Sequence, residues 1–199
     1  MNATAELGLR ERKKAATRQA LHEAATRLAA EHGLDRITVE AIADEAGVSR
    51  RTFSNYFGSK EEALMYGDFQ RLHCLVEFVR ARPADERPWA ALTAAAADFN
   101  RRLGDPDPHR VAQGRLLRSH PSLIAAQIHT FAGVERELAA EIASRLGEPD
   151  PRGVRAGMMA ATFLVALRVS LNMWLDAPEG SRLWDIAEEA MANAGRGFA

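Results

Sequence analysis

At 199 residues, 47% hydrophobic and 27% charged, the chain has the length for one or two compact domains and the composition of an ordinary soluble globular protein. A net charge of −1 excludes a polybasic coat for nucleic acid. Residues 1–60 carry ten Lys and Arg against eight Asp and Glu, so any binding to nucleic acid would have to come from local placement of charge. The single cysteine, Cys74, excludes an internal disulfide, points to a reducing compartment and is expected on the core face of a helix.

In chain order, residues 1–9 hold no packing pattern and are expected to be disordered. Arg10, Arg12, Lys13, Lys14 and Arg18 then form a basic cluster interrupted by Glu11. Basic charge is unfavourable at a helix start, so phosphate contact by Arg12, Lys13 and Lys14 explains it better than a solvated helix end. Leu21, Ala24, Ala25 and Leu28 mark the apolar stripe of a first helix that Gly33 closes, and Leu34 and Ile37 can pack back on it.

The stretch from Thr38 to Lys60, TVEAIADEAGVSRRTFSNYFGSK, reads as two short amphipathic helices around a tight turn. Val39, Ile42, Ala43 and Ala46 share one face of a helix that Thr38 caps. Gly47 ends it at a turn that needs positive φ, and Ser49 caps the next helix, where Phe53 and Phe57 face inward. Steps of about 100° per residue from Phe53 place Arg51 and Asn55 on the exposed side, with Thr52 and Ser54 flanking. This is a helix-turn-helix, whose second helix enters the DNA major groove. Ser59 to Glu62 reads as a capping box that opens a third helix.

Thr38, Ile42, Ala43, Ala46-Gly47-Val48-Ser49, Thr52-Phe53, Tyr56-Phe57 and Ser59-Lys60 together resemble the TetR family of bacterial transcription regulators, over about the first third of the chain. Ser54 departs from the pattern, since many members carry an aromatic residue there. Arg51 is the best base reader, because a guanidinium donates two hydrogen bonds to guanine O6 and N7. Arg50 reaches a base or a phosphate, and Asn55 pairs with adenine or bonds a phosphate. The resemblance assigns Thr38, Thr52, Tyr56 and Lys60 to the DNA backbone, where contacts position the helix without specifying sequence.

The helix from Ser59 keeps Met65, Phe69, Leu72, Val76 and Val79 in helical spacing until Pro83, and residues 59–82 are expected to link a domain of residues 1–60 to one of residues 61–199. Pro88 starts the next helix, with Trp89, Leu92, Ala96, Phe99 and Leu103 as its inner stripe. After the Gly104–Pro108 loop come a short helix over Arg110–Ser119 and a longer one through Ile124, Ile128, Phe131, Leu138 and Ile142. Val154 to Leu175 is apolar nearly all round and must be buried on more than one side. The longest uncharged apolar run, Ala156–Leu167, falls short of the about 20 residues that cross a bilayer, and no apolar leader opens the chain. A cytoplasmic protein without membrane contact is expected. The last helix carries a stripe of Leu183, Ala187, Ala190, Met191 and Ala194. The expectation is an all-α chain of about nine helices.

Sequence motifs for catalysis, phosphate loops or metal sites are absent, so no cofactor is expected and the chain is not expected to be an enzyme. A helical enzyme with an unrecognised site, or a protein-interaction module, are the rival readings. The last two helices are expected to close a four-helix bundle in a homodimer, as the resemblance also implies, so the operator is expected to be pseudo-palindromic. Candidate effector-lining residues are Trp89, Phe99, Ile128, Phe131, Met158, Thr162 and Phe163, with Arg115, Arg118 and Arg168 as the charged groups. Three arginines suit an anionic head on an apolar tail; the alternative makes them surface or dimer-rim residues. The segment Arg115–Leu123 is also similar to the TetR subgroup with acyl-coenzyme A-like ligands.

Overall fold

The computed structural model describes residues 8–198, without the side chains of Leu9, Pro108, His109, Gln113, Leu117, Arg118, Ser119, His129 and Thr130. Of residues 1–9, where disorder is expected, 1–7 lie outside this range, whereas Gly8 and Leu9 are the cap and first residue of the first helix. Among the described residues the chain forms nine α-helices, one 3-10 turn and no strand. The helices are α1 (Leu9–His32), α2 (Val39–Glu45), α3 (Arg50–Ser54), α4 (Lys60–Arg80), α5 (Pro88–Leu103), α6 (Pro108–Ser119), α7 (Pro121–Ala143), α8 (Val154–Leu175) and α9 (Leu183–Gly195). The 3-10 turn, Leu34–Arg36, follows α1. Two compact units result. The first is Met1–Asp68 with Leu117–Ala126, and the second is Phe69–Leu116 with Gln127–Ala199.

Local signals build the first unit. Gly33, at φ 78°, ends α1 and returns its N–H to Ala29 O. Thr38 Oγ1 accepts from Ala41 N at 3.1 Å to cap α2, and Gly47 turns the chain at φ 68°. Ser49 Oγ accepts from Thr52 N at 3.1 Å to cap α3. The Ser59 cap forms as expected, accepting from Glu62 N at 3.1 Å. The return half of the box shifts by one residue, because the Glu62 carboxylate accepts from Gly58 N at 2.7 Å. Leu21, Ala24, Ala25, Leu34, Ile37, Ile42, Ala43, Phe53 and Phe57 are all buried. His22 Nδ1–H donates to Ala63 O at 2.8 Å, and a Cβ at Gly67 would come within 2.6 Å of its Nε2. A bare Gly67 is what lets α1 meet α4 there.

Phe53 is the largest side chain fully enclosed in this unit. Phe53→Ala is expected to cost about 3–5 kcal/mol, as large-to-small changes in packed cores do. Denaturant unfolding would measure it, and a loss under about 1 kcal/mol would mean that the three-helix core can collapse around the gap.

The second unit packs Leu75, Val76 and Val79 of α4 with Leu92, Val134, Leu138, Ile142, Met159, Phe163, Ala187 and Met191. Charged side chains stitch its helices. Arg80 pairs with Glu141 at 2.8 Å, and that guanidinium holds the Glu141 carboxyl below the usual carboxylate range. Arg145, nearly enclosed, donates to Val79 O at 2.9 Å at the end of α4.

Several expected stripes turn out differently. In α7 the buried positions are Leu123, Val134, Leu138 and Ile142, while Ile124 and Ile128 are exposed. Cys74 is exposed as well, not on the core face. It stands two residues from Leu72 and from Val76, about 200° round the helix from each. In α8 the inward face is Ala156, Met159, Ala160, Phe163 and Leu164, and a second apolar line of Val154, Met158, Val165, Val169 and Met173 faces outward. Its length and composition would suffice to cross a membrane, yet Arg168 lies exposed in its middle. In α9 Ala187 and Met191 are buried inside the unit, whereas Ala190 and Ala194 are half-buried.

Candidate nucleic-acid interface

The exposed end of the first unit is built around α3. Arg50, Arg51, Ser54 and Asn55 are exposed, Thr52 and Tyr56 are half-buried, and Phe53 and Phe57 anchor the helix from below. α3 is short because Asn55 serves as its C-cap. The Ser49 and Thr52 hydroxyls lie 2.9 Å apart, so the cap also fixes the Thr52 side chain. Arg50 Nε donates to Glu40 Oε1 at 3.0 Å across the turn between α2 and α3. Arg51, by contrast, projects from the exposed face at the N-terminal end of the helix, the end that meets base edges in such motifs.

An open groove of about 740 Å³ runs between the start of α1 and α3, lined by Arg10, Glu11, Lys13, Lys14, Thr17, Thr52, Asn55 and Tyr56. Three cations outweigh the one carboxylate, and with two hydroxyls, an amide and a phenol they suit the negatively charged backbone of DNA. Lys13 and Lys14 lie on this groove as their sequence position implies; Arg12 is exposed but is not among its lining residues. Arg10 also lines it, as a member of the same basic cluster, and so does Thr17, which carries no signal of its own in the sequence although one helical turn separates it from the groove lysines.

Arg18 is placed elsewhere. Its guanidinium lies 5.7 Å from the Tyr56 ring centroid, 5.9 Å from that of Phe57 and 5.7 Å from that of Tyr66. Cation–π attraction and apolar contact hold it as a brace between α1 and the end of α3. Lys60 is also braced inward, donating to Leu34 O at 2.8 Å and Ile37 O at 3.1 Å. Thr38, beside Ile37, is thereby held at the start of α2.

The candidate effector residues are spread over several settings. Phe163 is wholly buried, and Trp89 meets it edge-on at 6.3 Å. Trp89 also stacks on Phe198 at 5.1 Å, and a Cβ at Gly195 would come within 2.1 Å of its Nε1, so only glycine fits there. Phe99 is half-buried against Phe78 at 5.9 Å, and Phe131 packs partly buried on the core. Ile128, Met158, Arg115 and Arg168 are exposed. Thr162 lines a groove between α8 and α9 with Val165, Val169, Met173, Ile186, Ala190 and Ala194. The Arg118 side chain is outside the described residues. Leu183 is half-buried at the start of α9.

Comparison with known proteins agrees with this architecture. Residues 21–64 match the family model for bacterial regulatory proteins of the tetR family, and residues 86–199 match the MftR C-terminal domain. The HTH-type transcriptional regulator TcmR of Streptomyces glaucescens is 31% identical over 173 residues, covering 84% of this chain and 76% of its own length. Two solved structures share the fold. FadR of Thermus thermophilus, a TetR family transcriptional repressor solved in complex with lauroyl-CoA, gives a TM-score of 0.55 at 24% identity over 92% of this chain and 95% of its own. A transcriptional regulator from Rhodococcus sp. Rha1 gives 0.52 at 21% identity over 90% and 96%. A capped helix-turn-helix with a basic groove beside its exposed reading face, followed by a helical C-terminal part that matches a regulator's domain, makes this chain a member of the TetR family of DNA-binding transcriptional regulators.

Proposed function

We propose that the chain is a cytoplasmic repressor that binds a pseudo-palindromic operator as a homodimer and is released by a small hydrophobic effector with an anionic, acyl thioester-type head. The observation that carries the DNA half is the exposed face of α3, with Arg51 and Asn55, beside a groove bearing Arg10, Lys13 and Lys14. Reading falls to residues 1–60; effector binding and dimerisation fall to residues 61–199, joined by the helix within 59–82. Arg51 reads a base, and Arg50, Ser54 and Asn55 contact bases or phosphates beside it. Thr38, Ser49, Thr52 and Tyr56, with Arg12, Lys13 and Lys14, hold the backbone. Lys60 has one N–H left over from its two carbonyls for a phosphate.

The second copy is assigned to the outward line of α8 and the adjoining face of α9. Val154, Met158, Val165, Val169 and Met173 recur at helical spacing and are exposed, a patch that soluble proteins cover. Ala190 and Ala194 extend it on α9, while Ala187 and Met191 support it from within and Leu183 borders it. Two-fold pairing of such helix pairs closes a four-helix bundle.

The effector half rests on chemistry. Aromatic side chains such as Phe163, Phe131 and Trp89 offer an apolar interior, and exposed Arg115 and Arg168 leave a charged head hydrated. The lauroyl-CoA complex of the Thermus thermophilus repressor supplies a ligand class to try. Binding displaces the linking helix and lowers DNA affinity only if the effector prefers the DNA-incompetent state.

The test has two parts. A salt-sensitive shift of the DNA upstream of the chain's own gene is expected, which neither a helical enzyme nor an interaction module explains. Operator release is then measured with fatty acyl thioesters, uncharged hydrophobic compounds and cationic dyes. Thioesters are expected to release DNA. If only the cations do, and Arg115, Arg118 and Arg168 tolerate alanine without effect, the effector class is wrong and the repressor reading alone survives.

A further inference from the structure

The two helices of the reading motif are joined by more than apolar contact. Arg50 is the first residue of α3, and Glu40 lies in the first turn of α2. A helical side chain leans toward the N-terminus of its own helix, so Arg50 leaves the rim of α3 on the side of the turn. There its Nε lies 3.0 Å from Glu40 Oε1, with 72% of the arginine side chain and 53% of the glutamate side chain exposed. The pair therefore stands at the open end of α3, the end that meets base edges in such motifs.

A carboxylate at that place calls for an explanation. DNA carries its negative charge on the phosphates, and an acid facing them weakens binding to every sequence. A carboxylate in the first turn of α2 gains a little from the helix dipole, but that gain needs no arginine. Donor arithmetic gives the pair a use. A guanidinium holds five N–H donors in a rigid planar fork, and Nε carries one of them. With Nε engaged by Glu40, Nη1 and Nη2 remain, and two guanidinium nitrogens side by side match O6 and N7 of a guanine. The same carboxylate selects between partners. A phosphate oxygen drawn to this guanidinium would bring a second negative charge beside Glu40, whereas a guanine edge offers two uncharged acceptors. Holding the fork before DNA arrives also lowers the cost of ordering a long side chain on binding.

We infer that Glu40 is a positioning residue that sets operator specificity: from α2 it holds Arg50 by its Nε edge and so commits the terminal nitrogens of that arginine to a guanine instead of a phosphate. Arg50 then reads a base pair of its own beside the one assigned to Arg51, and the two helices of the motif share the reading. This rests on the family's DNA-binding role and is independent of which effector binds.

The experiment is the affinity of the full-length protein for the operator found upstream of its own gene, for every single base-pair replacement of it, and for copies with 7-deazaguanine at single guanines. The parent is compared with Glu40→Ala, Glu40→Gln, Arg50→Ala and the double alanine variant. Arg50→Ala is expected to relax preference at one guanine, and loss of N7 at that guanine is expected to weaken the parent but not Arg50→Ala. Glu40→Ala is expected to lower discrimination at the same guanine by about two- to fivefold, the scale of an exposed charged pair. Its affinity for unrelated DNA is expected to rise, since a negative charge has left the face that meets phosphates. Glu40→Gln keeps an oxygen that accepts from Nε, so its discrimination is expected to lie between parent and Glu40→Ala. With Arg50 already alanine, removing Glu40 is expected to change base preference no further. A merely structural Glu40 would shift the melting temperature and leave base preference alone. Equal gains for Glu40→Ala on matched and mismatched DNA would overturn the inference, as would the same change of preference with and without Arg50. Glu40→Gln carries the comparison if Glu40→Ala does not fold. A parent that binds no DNA would overturn the repressor reading together with this one.

Discussion

Val165→Glu combined with Val169→Glu is expected to give a folded monomer whose operator affinity is about 10²–10⁴-fold lower, because two linked reading heads bind far more tightly than one. The two valines are 45% and 38% exposed, so a glutamate at either site can reach water in the single chain. In the proposed dimer the same four carboxylates would face each other across a two-fold axis in an apolar seam, where unpaired charge is costly. Met191 is the instructive control. It belongs to the α9 stripe legible in the sequence, but at 2% exposure it is part of the subunit's own core. Met191→Glu should therefore unfold the second unit rather than separate subunits. Sedimentation and thermal melting distinguish the two results. A double variant that remains dimeric, with its melting temperature intact, places the interface on another face.

That contrast shows what the sequence could and could not disclose. Thr38, Gly47 and Ser49 were readable because a cap or a positive-φ turn is a contract between residues at most a few apart. Each forms as expected. The order and approximate ends of the nine helices among the described residues follow from the same kind of signal, with Pro83, Pro88 and Gly104 as punctuation. α8 was harder. A helix apolar all round has two faces to bury, and periodicity does not say which one the subunit keeps. Met158 and Ile128 were apolar and bulky enough to suggest a ligand chamber, yet both are exposed. His120 was least legible. Its partners are 85 and 59 residues away at Asp35 and Glu61, the second reached through Ser122, and only the folded chain brings the start of α7 to the first unit. Lys60 carried a family pattern that pointed to DNA, while its grip on Leu34 and Ile37 carbonyls is a tertiary fact.

Arg51→Ala should relax sequence preference at one base pair of each half-site, by about 1–3 kcal/mol if the guanidinium makes a bidentate contact to guanine. The side chain is exposed at the N-terminal end of α3 and the helix below it is fixed by buried Phe53, so removing it leaves the scaffold intact. Lys13→Ala provides the contrast. Lys13 lines the groove beside α3, and losing a phosphate contact weakens every sequence alike while reducing the salt slope by about one unit per head. Lys60→Ala is expected to do something further. It should also weaken all sequences, but its two carbonyl partners lose their donor, so the melting temperature should fall as well. Binding of the three variants to matched and singly mismatched operators at several salt concentrations, with melting curves alongside, separates the three signatures. If Arg51→Ala loses the same factor on every sequence, Arg51 holds backbone, and base reading passes to Asn55 and Arg50 on the same exposed face.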